Sequence, residues 1–543
     1  MIEAGGKPES YNYQVPCFHA LSTEEREMAW NFFVHHYETN EGRDDKYRAD
    51  LGGVLYPRAG TLGGCTAHNA MITLVPHDTD WNDIANTTKD DSWRAEKMWQ
   101  YFDRVQQWLS TETVDPTIAL GDKEVVKTVF SSALWAAKKL GIDKLMNPLD
   151  NPNDITRRAH LQGLTTVVPL ATKNGRRNGT REALLAAERD HGLRIALNTL
   201  AVRVILDGDK RAVGVECWEG ANLYRADPNA GAAPQYTKKE YRCTREVILA
   251  GGAFNTPQLL MLSGIGPKEH LADCKIECLV DRPGVGKNLQ DRYEVGVVSE
   301  MKQPFALLKD ATFKPPAAGE SGDACFQDWL QGSGLYTSNG AMAALILKSA
   351  ATKSNPDLFI FALPGDFHGY FPTYSASITT RKDHITWAIL KAHTNNTNGT
   401  VRLRSDNPLD TPEINFHYFE ESNDDANDDL EAVVKGVQLV RGMNDANSAI
   451  GREVIPGRDK APDDAAVRKW IADNAWGHHA SCSCKMGDPA DPNAVVDSRF
   501  RVIGAKNLRI VDASVFPHIP GFFIVTPIYM ISEKAADTIA GEA

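Results

Sequence analysis

The segment Arg245-Glu246-Val247-Ile248-Leu249-Ala250-Gly251-Gly252-Ala253-Phe254-Asn255-Thr256-Pro257 decides the fold. A charged lead-in gives way to a short continuous apolar run, which ends in small residues and then in a Thr-Pro pair suited to open a helix. A strand buried on both faces needs continuous rather than alternating apolar residues, and glycines at its C-terminal end leave room for a ligand at the strand tip. This is the doubly wound α/β pattern.

Upstream, Arg194 to Asn198 and Ala201 to Leu206 alternate as strands, with a turn at Asp207-Gly208-Asp209. The punctuation predicts helices over 23–36, 93–112 and 124–140, the last with Val125, Val126, Val129, Phe130, Leu134 and Trp135 on its apolar side. From about 292 to 475 strand-like runs (Leu358 to Phe361, His384 to Leu390, Thr400 to Leu403) are separated by Pro/Gly/Asn loops, which predicts a largely antiparallel sheet with helices at 427–444 and 463–474. The architecture expected is α/β with an α+β second domain. A doubly wound domain (1–75, 155–291 and 485–543) is interleaved with an antiparallel-sheet substrate domain (76–154 and 292–484).

Bulk properties exclude several function classes. With 59 basic against 71 acidic residues the formal charge is −12, and no Lys/Arg block offers the basic stripe that nucleic acid requires. No apolar stretch approaches the ~20 residues of a membrane span. Nine cysteines is an odd, sparse count. Cys482 and Cys484 stand too close for a zinc knuckle, so reduced thiols, a cytoplasmic location and no metal site are expected.

Three further blocks carry chemistry: Tyr56-Pro57-Arg58-Ala59-Gly60-Thr61-Leu62-Gly63-Gly64-Cys65-Thr66-Ala67-His68-Asn69-Ala70-Met71; His479-Ala480-Ser481-Cys482-Ser483-Cys484-Lys485-Met486-Gly487; and Asp512-Ala513-Ser514 followed by Pro520-Gly521-Phe522-Phe523-Ile524-Val525-Thr526-Pro527. With the segment Gly252 to Gly266, these resemble, in order and over nearly the whole chain, the signatures of the glucose-methanol-choline oxidoreductases, FAD-dependent alcohol oxidases and dehydrogenases.

The resemblance implies hydride transfer from a small-molecule alcohol to flavin, with His479 as general base, since a neutral imidazole titrates in the range needed to accept the hydroxyl proton. His478 is its competitor and a pocket residue. It further implies that Gly63, Gly64, Asn69, Ala70 and Met71 lie against the isoalloxazine, where glycine permits close backbone approach. Asp512 and Ala513 would meet the ribityl-pyrophosphate region, Ala201 would offer backbone to adenine, and Arg58 would serve a phosphate or pack on the loop. His68 occupies the position of a covalent flavin link in choline oxidase-like members; it is a tether or a ring packed on the flavin edge. The reoxidant implied is oxygen, a quinone or a cytochrome.

Two departures stand out. The position where the family supplies a second His or Asn holds Phe523, whose ring can neither accept nor donate a proton. Asn69, Ser481, His518 and His393 are the candidate replacements. Alternatively Phe522 and Phe523 line an apolar pocket for a primary apolar or aromatic alcohol. Competing readings are a hydroxynitrile lyase-like protein without redox turnover and a non-catalytic FAD-fold protein.

The second departure lies at the start. Met1-Ile2-Glu3-Ala4-Gly5-Gly6 resembles the end of a second strand, with Glu3 as the acid for the ribose hydroxyls, and no G-x-G-x-x-G precedes it. Without that phosphate cradle, the chain as written is expected to retain FAD poorly. The flavin-to-protein ratio after gel filtration checks this; stoichiometric retention contradicts it.

Overall fold

The computed structural model describes residues 1–39, 43–141, 151–154, 162–165 and 168–542. Val247–Leu249 is a strand paired in parallel with Leu508–Ile510; Val247 and Leu249 are buried while Ile248 is exposed on the cavity side, so the strand is not buried on both faces as its continuous apolar run suggests, and the chain runs from its tip through Gly251 into the helix Gly252–Leu262. The helix begins earlier than Thr256-Pro257 suggests. The Asp512 carboxylate, from a distant segment, accepts hydrogen bonds from the Gly252 amide (2.9 Å) and the Thr256 hydroxyl (2.6 Å), so the cap is supplied through space. Ile2 bridges Ala196 in parallel, and Thr199–Leu206, Ala212–Glu219 and Thr237–Arg242 form an antiparallel three-stranded sheet.

The second layer is a six-stranded antiparallel sheet in the order Ile450–Ile455, Tyr293–Met301, His384–Lys391, Leu358–Leu363, Ala343–Leu347, Gly163–Thr165. Its central strand His384–Lys391 is buried along its whole length, covered by the helix Asp428–Asp445, which presents Val433, Val434, Val437 and Val440. Lys391 at its end is neutralised by Asp429 at 3.2 Å and Asp357 at 3.7 Å, as a buried ammonium must be. Gly163–Thr165 falls in the segment assigned from sequence to the doubly wound half, yet it pairs with Ala343–Leu347 of this sheet. The expected junction at 154–155 adjoins residues 155–161, outside the described residues.

The helix predicted over 23–36 is corrected: a short helix His19–Glu24 ends where the acidic cluster stands, and Ala29–Val34 is a strand antiparallel to Gly53–Ala59. The aromatic and β-branched content of Trp30, Phe32, Phe33 and Val34 prevails once a partner strand is present. Other predicted helices appear as Ala95–Trp108, a continuous helical stretch Lys123–Leu140, and Asp464–Asn474. Among the described residues no helix is long and apolar enough to cross a membrane, and all nine cysteines are free.

Candidate active site

His478 and His479 project from a bulge. Gln290 and Ser481 exchange backbone hydrogen bonds of 3.0 Å, and Glu294 and Trp476 exchange bonds of 2.9 and 3.0 Å. Between these pairings the 477–480 segment carries one residue more than its partner, and the surplus backbone arches outward. Its amides are not orphaned. His479 N donates to Asp291 Oδ1 (2.8 Å), and Ala480 N donates to the Tyr56 hydroxyl (2.8 Å), which in turn donates to Asp291 Oδ2 (2.5 Å). Arg58 donates to the His478 carbonyl (3.2 Å) and to the Tyr56 hydroxyl (3.3 Å). Gly477 is required by packing: a Cβ there would lie 2.3 Å from Asp291 Oδ2.

Both imidazoles face one cavity of about 1400 Å³. Its size exceeds the ~300–1,000 Å³ of an ordinary small-molecule site, leaving room for a dinucleotide together with a substrate. Glu3, Arg58, Gly63, Gly64, His68, Asn69, Ala70, Met71, Ala201, Asp512, Ala513 and Phe523 line the same space. Phe522 does not. It packs on His77 and Phe359 beside a separate void of about 30 Å³. Arg58 is spent on the bulge rather than left for a phosphate, and the Asp512 carboxylate is spent on the helix start and on Ser514 N (2.8 Å), so only their surroundings face the cavity.

The four candidate replacements for Phe523 fare differently. Asn69 lines the cavity, but its Oδ1 accepts from Met71 N and Arg177. His393 is drawn to Asp80 at 2.9 Å, Ser481 lies against Cys482 Sγ, and neither they nor His518 line the cavity. In their place stands Glu294, unmarked in the sequence reading: its Oε1 is 3.6 Å from His478 Nδ1 and 3.9 Å from His479 Nδ1. A lone acid inside the apolar run Tyr293 to Val298 was the available signal.

Burial sets the charges. It pushes His479 well below the ordinary imidazole value, helped by His478, Arg292 and Arg58, and it lowers His478 to about 3. Desolvation, with Asp291 adding to it, raises Glu294 to about 8 against the pull of Arg292; Asp291 itself rises to about 6 through burial. At neutral pH the cluster is therefore two neutral imidazoles and a protonated carboxyl, not an ion pair. Phe523 meets His479 edge to face at 5.6 Å.

The arrangement is a dinucleotide-sized cavity with two neutral, buried imidazoles facing it. Models of the GMC oxidoreductase family match residues 49–294 and 395–532. Mitochondrial choline dehydrogenase of Mus musculus is 31% identical, over 99% of this chain and 83% of its own length. The oxygen-dependent choline dehydrogenase of Pseudomonas fluorescens (strain SBW25) is 30% identical, over 100% and 89%. Pyridoxine 4-oxidase from Mesorbium loti shares the fold at 20% identity, with a TM-score of 0.74 over 99% and 94% of the two chains. The chain belongs to the GMC oxidoreductase family, and it is an FAD-dependent enzyme of the alcohol oxidase and dehydrogenase type, acting on CH–OH donors.

The cavity fits the flavin cofactor. Gly64 (φ +55°) and Gly252 (φ +80°) line it with nothing within 4 Å of where a Cβ would stand, so a side chain at either would intrude on the ligand space. Both ring nitrogens of His68 are buried there without a hydrogen-bond partner. Glu3 accepts from Gly5 N and is raised by burial to about 7, an acid poised for hydroxyl donors.

The raised carboxyl at 294 has a signed consequence. Between the unfolded value of 4.5 and the folded value of about 8, Glu294 is protonated when folded and ionised when unfolded, so its contribution to stability is full below 4.5 and lost as pH rises through about 8. Glu294→Gln, which mimics the neutral acid, removes that loss. The stability of the variant relative to wild type, measured by denaturant unfolding, grows by up to about 1.4 kcal/mol per pH unit across this window. A difference independent of pH contradicts the assignment.

Proposed function

We propose that the protein oxidises a primary alcohol bearing an apolar or aromatic chain to the carbonyl, with His479 accepting the hydroxyl proton. The observation that carries this reading is the neutral, buried imidazole at 479, held on a gripped bulge and facing a phenyl ring. When bound, FAD supplies the two-electron acceptor for the hydride that leaves the alcohol carbon. Glu3 would hold the ribose hydroxyls, Ala201 the adenine through its backbone, and the Asp512-Ala513 turn the middle of the cofactor. Gly63, Gly64, Asn69, Ala70 and Met71 would lie against the ring, with His68 as tether or packing group.

The chain's own contribution is orientation, exclusion of water and proton handling. Asp291 and Tyr56 fix the backbone of His479, leaving its ring free to meet the hydroxyl. The imidazolium formed by proton uptake has the Glu294 carboxyl 3.9 Å from its Nδ1, a polar group that lessens the cost of a buried cation. Phe361, Leu363, Phe367, Tyr370 and Phe523 supply apolar and aromatic walls suited to an alkyl or aryl group. A second reading, favoured by the choline dehydrogenase relatives and by the aromatic rings Phe367, Tyr370 and Phe523 that line the cavity, is an alcohol carrying a quaternary ammonium group.

Anaerobic mixing of the flavoprotein with benzyl alcohol, hexanol or choline separates these. The aryl and alkyl alcohols are expected to bleach the visible flavin band, and His479→Asn is expected to slow bleaching about 10²- to 10⁴-fold with flavin still bound. Fast bleaching by choline alone selects the second reading, and no bleaching by any alcohol defeats both. For His68, acid precipitation is expected to leave the yellow colour with the protein if the tether forms. Full release of colour into the supernatant identifies a packing role.

A further inference from the structure

We propose that His77, Asp80 and His393 form a binding site for a divalent transition-metal ion of the zinc type, outside the redox cavity. Each residue offers one ligand atom, and the three atoms lie within 4.8 Å of one another. His393 Nε2 stands 2.9 Å from Asp80 Oδ1, His77 Nδ1 stands 3.9 Å from Asp80 Oδ2, and the two rings are 5.0 Å apart between centroids. Ligand atoms that share a tetrahedral zinc at its usual bond lengths are separated by about 3.3 Å, so the 2.9 Å between His393 Nε2 and Asp80 Oδ1 lies within a few tenths of an ångström of what the ion requires, and a small rotation of His77 closes the set. The three side chains are partly buried, between 10% and 26% exposed, which keeps the ion reachable yet its ligands ordered.

The donor chemistry selects the metal class. Two imidazoles with one carboxylate suit zinc, cobalt or nickel, whereas magnesium and calcium require oxygen shells. Asp80 is already oriented by its surroundings: Oδ2 accepts from His77 N (2.8 Å) and from Gly521 N (3.0 Å), which leaves Oδ1 as the metal-facing atom. Among the described residues, the charges near Asp80 include Asp83, which adds negative charge, His518, which faces both acids, and Arg292, the opposing cation.

The site would join parts of the chain remote in sequence. Asp80 belongs to the helix Asp78–Thr88, His393 follows the central strand His384–Lys391, and Gly521 begins the turn that presents Phe523 to His479. An ion held there braces the turn behind the substrate-facing ring and leaves His479 itself untouched. The proposal is independent of which alcohol is oxidised.

The test is zinc content of the flavoprotein after incubation with zinc chloride and dialysis, read by elemental analysis, together with the thermal midpoint as zinc is titrated. Wild type is expected to retain about one zinc per chain and to gain in midpoint as zinc rises, while His393→Gln and His77→Gln lose the metal and the zinc-dependent gain. Wild type that retains none overturns the proposal, whatever the variants do. So does zinc that survives His393→Gln and disappears in His478→Gln, because it then sits on the His478–Glu294–His479 cluster.

Discussion

A buried imidazole can accept a proton only while it is neutral and correctly aimed, and at His479 the aim is secured through the backbone. The Asp291 carboxylate and the Tyr56 hydroxyl take the amides of His479 and Ala480, so the bulge is fixed without engaging either ring nitrogen of His479. A conventional arrangement, in which a carboxylate grips the ring, would raise the imidazole's affinity for protons and charge it prematurely. Here desolvation, reinforced by His478, Arg292 and Arg58, holds the ring neutral. The glycine at 477 follows from the same contact, since any side chain would occupy the space of the Asp291 carboxylate.

The two layers of the fold meet at this clamp. Glu294 enters on the strand Tyr293–Met301 of the antiparallel sheet and Asp291 just before it, Tyr56 on the strand Gly53–Ala59, and the histidines on the segment that leads back to the parallel strand pair. Asp512 performs a corresponding task at the other side of the cavity, tying the helix Gly252–Leu262 to the C-terminal segment. In each case a carboxylate that could have served a ligand instead organises backbone, and the ligand-facing surface is left to glycines, aromatic rings and unpaired imidazoles. Interleaving the layers is therefore a means of bringing residues from several segments to one chamber.

Much of this was legible in the chain. The apolar run ending at Gly251-Gly252 announced a parallel strand, the runs at 358–361 and 384–390 announced the second sheet, and the motif histidines and glycines converge on one cavity. What could not be read depended on distance. The Tyr56–Asp291 bond spans 235 residues, and the Asp512 cap shifted a helix start that local Pro chemistry placed later. Residues 29–34 were mistaken for helix because their strand character shows only against the partner strand Gly53–Ala59. Glu294 went unremarked because no motif surrounds it; its meaning comes from the two imidazoles opposite.

The central claim is that the ring of His479, rather than that of its neighbour, meets the alcohol. A crystal structure of the flavoprotein with a slowly reacting alcohol or a carboxylate product analogue tests it most directly. A His479 ring nitrogen is expected within about 2.6–3.2 Å of the substrate oxygen, with Phe523 against the organic group. Finding His478 at that oxygen, or His479 turned away toward Glu294 with side chains filling the chamber, contradicts the account.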